Sequence, residues 1–217
     1  MLVGERMTKP AITVRPETSM PDALDLMRKE RIRRLPVVNK RGELVGIVTE
    51  AELLKASPSD ATSLSVYEVT YLLSKLTVER LMTRSVITVT EDTPLEEAAR
   101  IMADNDISGL PVMRGKTVVG MITETTLFRI FLELLGARRA GIRVTASVPD
   151  QPGELADLTK AVHDLGGNII ALGTFSGDVP TEGLLTMKVE GVEIEPLKKA
   201  IQPFVEKVVD IRVTPGV

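Results

Sequence analysis

The chain has 217 residues, 43% apolar and 26% charged, enough core for one large domain or two to three small ones. A net charge of -3, a pI near 5.4 and 3% aromatic residues without Trp argue against a nucleic-acid or anionic-membrane partner. There is no Cys, no apolar run of membrane-spanning length and no signal-peptide core, which removes disulfides and thiolate chemistry and makes a cytoplasmic soluble protein the expectation.

The first two-thirds of the chain repeats itself. Shifted by 75, residues 7–37 fall on 82–112, with Met7-Thr8 on Met82-Thr83, Ile12-Thr13-Val14 on Ile87-Thr88-Val89, and Leu35-Pro36-Val37 on Leu110-Pro111-Val112. One residue is lost in the following turn, and Leu44–Glu50 then falls on Val118–Glu124. Each unit predicts strand, helix, strand, strand, helix. Ile12–Val14 and Val86–Val89 read as short extended runs before a capping Thr. Thr93-Pro94-Leu95-Glu96 reads as an N-cap, a first-turn Pro and a capping-box Glu. Ala23, Leu26 and Met27, like Ala98, Ile101 and Met102, form a narrow apolar helical stripe.

Leu35–Val38 and Leu110–Met113 read as strands joined, through turns at Gly42 and Gly115, to strands containing Gly46 and Gly120. A glycine inside a strand marks close approach by another backbone or a ligand. The Thr-Glu steps at Thr49 and Thr123 cap the helices that follow and leave N-termini suited to an anion. Residues 57–63 read as a polar linker, and Val66, Val69, Leu72, Leu73 and Leu76 as an additional helix. The closing helix carries Leu127, Phe128, Phe131, Leu134 and Leu135 and ends at Gly136. That face calls for burial against a second copy or a neighbouring domain, with a plain core helix as the alternative.

Beyond Arg138–Gly141 the pattern changes to strand (Ile142–Val148), helix (Leu155, Leu158, Ala161, Val162, Leu165), strand (Asn168–Phe175), a Gly/Pro/Asp loop at 176–183, strand (Leu184–Val189), helix (Ile194–Val205) and strand (Val208–Val213). The order βαββαβ is ferredoxin-like. His163, the single histidine, lies between apolar helix positions with no nucleophile or metal-ligand spacing around it, and reads as incidental. Gly109 to Lys116-Thr117 approaches a phosphate-loop spelling, but it has five residues between the glycines and a strand interior, so it reads as a hairpin.

Met-Thr, Ile-Thr-Val, Leu-Pro-Val and the Gly-h-h-Thr step (h apolar), twice in tandem, resemble a pair of CBS domains. The stretch Ser65–Leu76 adds a likeness to the acetoin-utilisation B type. Asp150-x-Pro152-Gly153-x-Leu155 followed by Gly166-x-Asn168-Ile169 resembles an ACT domain. The implied organisation is α/β (α+β): CBS repeats at 1–56 and 78–136, linker and extra helix at 57–77, and a ferredoxin-like ACT domain at 140–214.

The CBS resemblance implies one cleft per repeat for an adenine nucleotide or derivative: AMP, ADP, ATP or S-adenosylmethionine. The first would use Arg33, Arg34, Leu35, Pro36, Thr49 and Glu52, and the second Ser108, Gly109, Leu110, Pro111, Thr123 and Thr126. The family acid that meets the ribose is Asp; Glu52 is one methylene longer and Thr126 carries no charge, which puts the second cleft in doubt. Arg33 and Arg34 either form a solvated basic helix end or serve as phosphate forks.

The ACT resemblance implies an amino acid held by Asp150, Gly153, Asn168 and Ile169 at a subunit interface. The rival reading makes Asp150 a helix cap and Asn168 a helix-exit residue. Val148 stands where serine-binding members have His, so serine specificity is not implied. The expected protein is a cytoplasmic, homodimeric regulatory sensor working by allosteric signal transduction, with no catalytic residue, metal or cofactor. An enzyme is disfavoured because no catalytic domain remains to be assigned. The remaining rival is an interaction scaffold or regulatory subunit with empty clefts that controls a partner enzyme.

Overall fold

The computed structural model describes residues 1–56, 65–176 and 182–216, and the side chains of Val66, Val69 and Thr70 are not described. The linker expected at 57–63 and residues 177–181 of the expected loop lie outside the described residues. The chain forms two compact units, Met1–Leu127 and Phe128–Val217.

The first unit runs α1 (Val3–Arg6), α2 (Met20–Glu30), β1 (Arg34–Val38), β2 (Leu44–Thr49), α3 (Glu50–Lys55), α4 (Val66–Lys75), α5 (Val78–Leu81), β3 (Val89–Thr90), α6 (Leu95–Asp104), β4 (Gly109–Arg114), β5 (Thr117–Thr123) and the start of α7 (Glu124–Leu134). The antiparallel hairpins β1–β2 and β4–β5 share one register, Pro36 facing Ile47 and Pro111 facing Met121. Their turns contain Gly42 at φ 80° and Gly115 at φ 62°, so the phosphate-loop spelling is indeed a hairpin. Of the α2 stripe, Ala23 and Met27 are buried with Met20 against Leu35, Val37 and Val48, while Leu26 is partly buried against the same cluster. The extended run expected at Ile12–Val14 reduces to one parallel bridge, Val14 to Val37, whereas Val89–Thr90 makes a two-residue strand beside β4.

Thr93 is not the cap of α6. Pro94 takes that place with extended backbone, and the Thr93 hydroxyl accepts from the Thr90 N–H at 3.1 Å. Thr18 does the same for the Arg15 N–H at 3.2 Å, leaving Ser19 to cap α2 by accepting from Asp22. In both repeats this Thr closes the turn before the helix.

The segments leading into the two repeats are exchanged. Thr8 pairs with Met121 of the second hairpin, and Thr83 pairs with Ile47 of the first. A Cβ on Gly46 would stand 2.5 Å from Met82 Sδ and 3.1 Å from Thr83 O; one on Gly120 would stand 2.5 Å from Met7 Sδ and 2.9 Å from Thr8 O. The strand glycines therefore admit a backbone of the other repeat's leading segment.

The second unit contains β6 (Gly141–Pro149), α8 (Glu154–Asp164), β7 (Asn168–Ser176), β8 (Glu182–Glu190), α9 (Ile194–Ile201), a 3-10 turn at Gln202–Phe204 and β9 (Lys207–Thr214). The antiparallel order β7-β8-β6-β9 is that of a ferredoxin-like sheet. Ile142, Val144, Ala146 and Val148 alternate along β6 to meet Leu158 and Val162 of α8 and Leu197 and Ile201 of α9. The opposite face bears Arg143, Thr145, Thr186 and Lys188. Asp150 does not cap α8; Gly153 does, in the left-handed region at φ 100°. At the end of α7, Phe128, Phe131 and Leu134 are exposed, and Ile130 is the buried residue. Gly136, at φ 57°, closes that helix as expected.

Candidate nucleotide clefts and the C-terminal ligand loop

The predicted first-cleft residues gather where β1 begins and β2 passes into α3. Leu35 is fully buried and Pro36 buried in β1, so both support the hairpin from inside. Arg33 is exposed, and Arg34 is partly buried. Thr49 and Glu52 form a reciprocal capping box: Glu52 Oε2 accepts from the Thr49 N–H at 2.7 Å and its hydroxyl at 2.8 Å, while Thr49 Oγ1 accepts from the Glu52 N–H at 3.3 Å. Glu52 Oε1 accepts from the Thr83 hydroxyl at 3.1 Å. The carboxylate expected to meet a ribose is thus already held by three donors, one of them from the segment that leads into the second repeat.

The second cleft repeats this frame without the acid. Thr126 N–H donates to Thr123 Oγ1 at 3.4 Å, and the two hydroxyls lie 3.2 Å apart. Gly109, Leu110 and Pro111 are buried in β4, and Ser108 is partly buried at its start.

Arg34 joins the two sets of residues. Its Nη1 donates to Ser108 O at 2.6 Å and its Nη2 to Ser108 Oγ, and the guanidinium lies over Gly109, where an added Cβ would be 2.6 Å from Nη1. Burial lowers its pKa from the ordinary arginine value, Arg33 lowers it further, and Glu124 opposes both. Among the described residues Arg34 has no carboxylate within ion-pair distance, so a partly desolvated cation lies on the seam between the repeats. Sequence reasoning placed Arg34 in the first cleft alone; no local pattern signals its reach across to Ser108.

In the second unit the Asp150–Gly153 loop borders a cavity of about 740 Å³, lined also by Glu154–Ala156, Thr174–Ser176 and Glu182–Gly183. Asn168 and Ile169 lie elsewhere. Asn168 pairs with Glu190 and Ile169 with Val189, whereas the strand end next to Asp150, Pro149, pairs with Glu182 at the other end of β8. One chain therefore does not bring the four predicted residues together. Asn168 Nδ2 donates to Glu190 Oε1 at 2.7 Å, and Arg139 Nη2 reaches the same oxygen at 2.7 Å. Those contacts hold the Glu190 carboxyl below its ordinary range, Asn168 contributing most. His163 is exposed on the last turn of α8. Among the described residues no group of His, Asp and Glu could hold a metal ion, and no helix is long and apolar enough to cross a membrane.

Comparison with known proteins assigns both units. The model of the CBS domain matches residues 3–59 and 78–133, more than half of the chain, and that of the TTHA0829-like ACT domain matches residues 140–212. Over 131 residues the chain is 35% identical to the L-aspartate semialdehyde sulfurtransferase of Methanocaldococcus jannaschii, spanning 60% of this chain but only 23% of that protein. Among solved structures, the CBS domain pair of protein MJ0100, in complex with 5'-methylthioadenosine and S-adenosyl-L-methionine, is 34% identical with a TM-score of 0.52, covering 64% of this chain and 98% of that one. CBSX2 in complex with AMP is 33% identical with a TM-score of 0.51, covering 61% and 97%. A putative acetoin utilization protein from Vibrio cholerae is 29% identical with a TM-score of 0.52, covering 63% and 93%. The chain belongs to the CBS-domain family, as a tandem CBS pair followed by a C-terminal ACT domain of the TTHA0829-like type.

Proposed function

We propose that this chain is a non-enzymatic regulatory sensor whose CBS pair binds an adenine nucleotide or derivative. The observation that carries the reading is Arg34: a partly buried guanidinium between the two predicted clefts, hydrogen-bonded to Ser108 and with no ion pair among the described residues. A phosphate would supply the missing charge through the bidentate geometry that guanidinium favours. The complexes of MJ0100 and CBSX2 name adenosine derivatives as the class of ligand. In the proposed mechanism the nucleotide binds one relative packing of the repeats more tightly than another, and that difference sets the output.

The finer assignments belong to the same proposal: CBS repeats at 1–56 and 78–136, an ACT domain at 140–214, a cytoplasmic homodimer, and an amino acid at the ACT domain. The amino-acid site would pair the Asp150–Gly153 loop of one subunit with Asn168–Ile169 of another. The cavity beside the loop supports it.

Calorimetry with AMP, ADP, ATP and S-adenosylmethionine, together with chromatography of whatever the denatured protein releases, tests the central reading. Saturable binding of one of them is expected, and binding of none refutes it. A second reading, a regulatory scaffold without a nucleotide, is favoured by Glu52, whose carboxylate is already engaged by Thr49 and Thr83. The same titration separates the two.

A further inference from the structure

We propose that the helix-free face of the C-terminal sheet holds a second small-ligand site, for a short-chain organic carboxylate, built around Lys188. Lys188 projects from β8 on the side opposite Met187 and Val189 and is only 5% exposed. Its Nζ donates to the carbonyl of Gly136 at 2.9 Å. That carbonyl takes one of three N–H groups and brings no negative charge. Among the described residues Lys188 makes no ion pair. A buried ammonium without a counter-charge is costly unless something supplies one.

Space for it lies alongside. A cavity of about 320 Å³ opens beside Lys188, lined by Leu135, Arg143, Thr145, Ala171, Phe175, Leu184, Thr186 and Met187. The volume equals roughly ten liquid waters, room for a carboxylate of four to six carbons. Thr145, 7% exposed, and Thr186 place their hydroxyls 3.2 Å apart in the wall, and together they can donate to a carboxylate oxygen.

The lining also selects the ligand. Among the described residues it contains no Asp or Glu, so none of them receives the ammonium of an amino acid. Arg143 is paired with Asp210, which also accepts from Arg212, so among the described residues Lys188 is the one cation of the lining left to meet an anion, fewer than a phosphate dianion calls for. Leu135, Ala171, Phe175 and Leu184 suit a compact hydrocarbon tail. This site is separate from the Asp150 loop and does not depend on the nucleotide reading.

The test uses the full chain, without nucleotide, titrated calorimetrically at fixed ionic strength with propionate, isovalerate, 2-oxoisovalerate and inorganic phosphate. Saturable binding of a branched carboxylate is expected, at least tenfold tighter than phosphate. Lys188→Met should weaken it at least tenfold. Thr186→Leu, which fills the cavity and leaves the ammonium in place, should do the same and decides the matter if Lys188→Met does not fold. No carboxylate binding by the wild type, preference for phosphate, or wild-type affinity in folded Thr186→Leu each overturns the proposal.

Discussion

Arg34 offers the sharpest perturbation, because one side chain ties the start of β1 to the start of β4. Arg34→Met keeps most of the stem that lies over Gly109 and removes both hydrogen bonds to Ser108. Bonds to a charged donor contribute about 1.5–3 kcal/mol each when well shielded. Partial exposure reduces that, and removing the cation also relieves its desolvation, so we expect a net stability loss of about 1–2 kcal/mol. At roughly 2–4 °C per kcal/mol for a chain of this size, the melting temperature should fall by roughly 2–8 °C.

Ser108→Ala removes only the hydroxyl arm and leaves the carbonyl bond at 2.6 Å. A double-mutant cycle of the two substitutions, read by urea unfolding, should give a coupling near 1 kcal/mol. Additivity within about 0.3 kcal/mol would refute the hydroxyl arm of this contact between the repeats. If the guanidinium also meets phosphate, Arg34→Met should weaken AMP binding by roughly 10- to 150-fold, the same 1.5–3 kcal/mol expressed as affinity.

Gly120→Ala should destabilise the protein by about 1–3 kcal/mol, because the new methyl meets Thr8 O at 2.9 Å and that backbone cannot yield without breaking its pair with Met121; unchanged unfolding would remove the close-approach account. The Glu190 carboxyl, held low by Asn168 and Arg139, stabilises the fold above the ordinary Glu value of about 4.3 and loses that contribution as pH falls through its lowered native value. Asn168→Ala should raise the Glu190 midpoint measured by NMR, and an unmoved midpoint would contradict the contact. Phe128, Phe131 and Leu134 are exposed on α7, so Phe131→Glu should turn a dimer seen by light scattering into a monomer whose melting no longer depends on protein concentration; a monomeric wild type at micromolar concentration refutes the dimer.

Much of this was legible because the relevant signals are local. The helical spacing of Ala23 and Met27, the turn glycines Gly42 and Gly115, and the cap at Thr49 each act within a few residues. The exchange of leading segments was not legible, since Ile47 and Met121 occupy equivalent places in near-identical hairpins. Either could pair with Thr8, and only the three-dimensional path of the chain decides. The sequence likeness carried Glu52 toward a ribose, but its partner Thr83 comes from the other repeat's leader. Lys188 was invisible for a related reason: alternation along β8 points it away from the helices, and burial comes from Gly136 far along the chain.

The exchanged leaders also bear on how the protein is made. Thr8 and its bridge partner Met121 lie 113 residues apart, so Met121 is synthesised well after Thr8. At translation rates of roughly 5–20 residues per second, Thr8 waits about 6–23 s for its partner. During that interval Thr8 meets Ile47, the equivalent place in the first hairpin, before its own partner exists, and the final pairing has to await Thr83 and Met121.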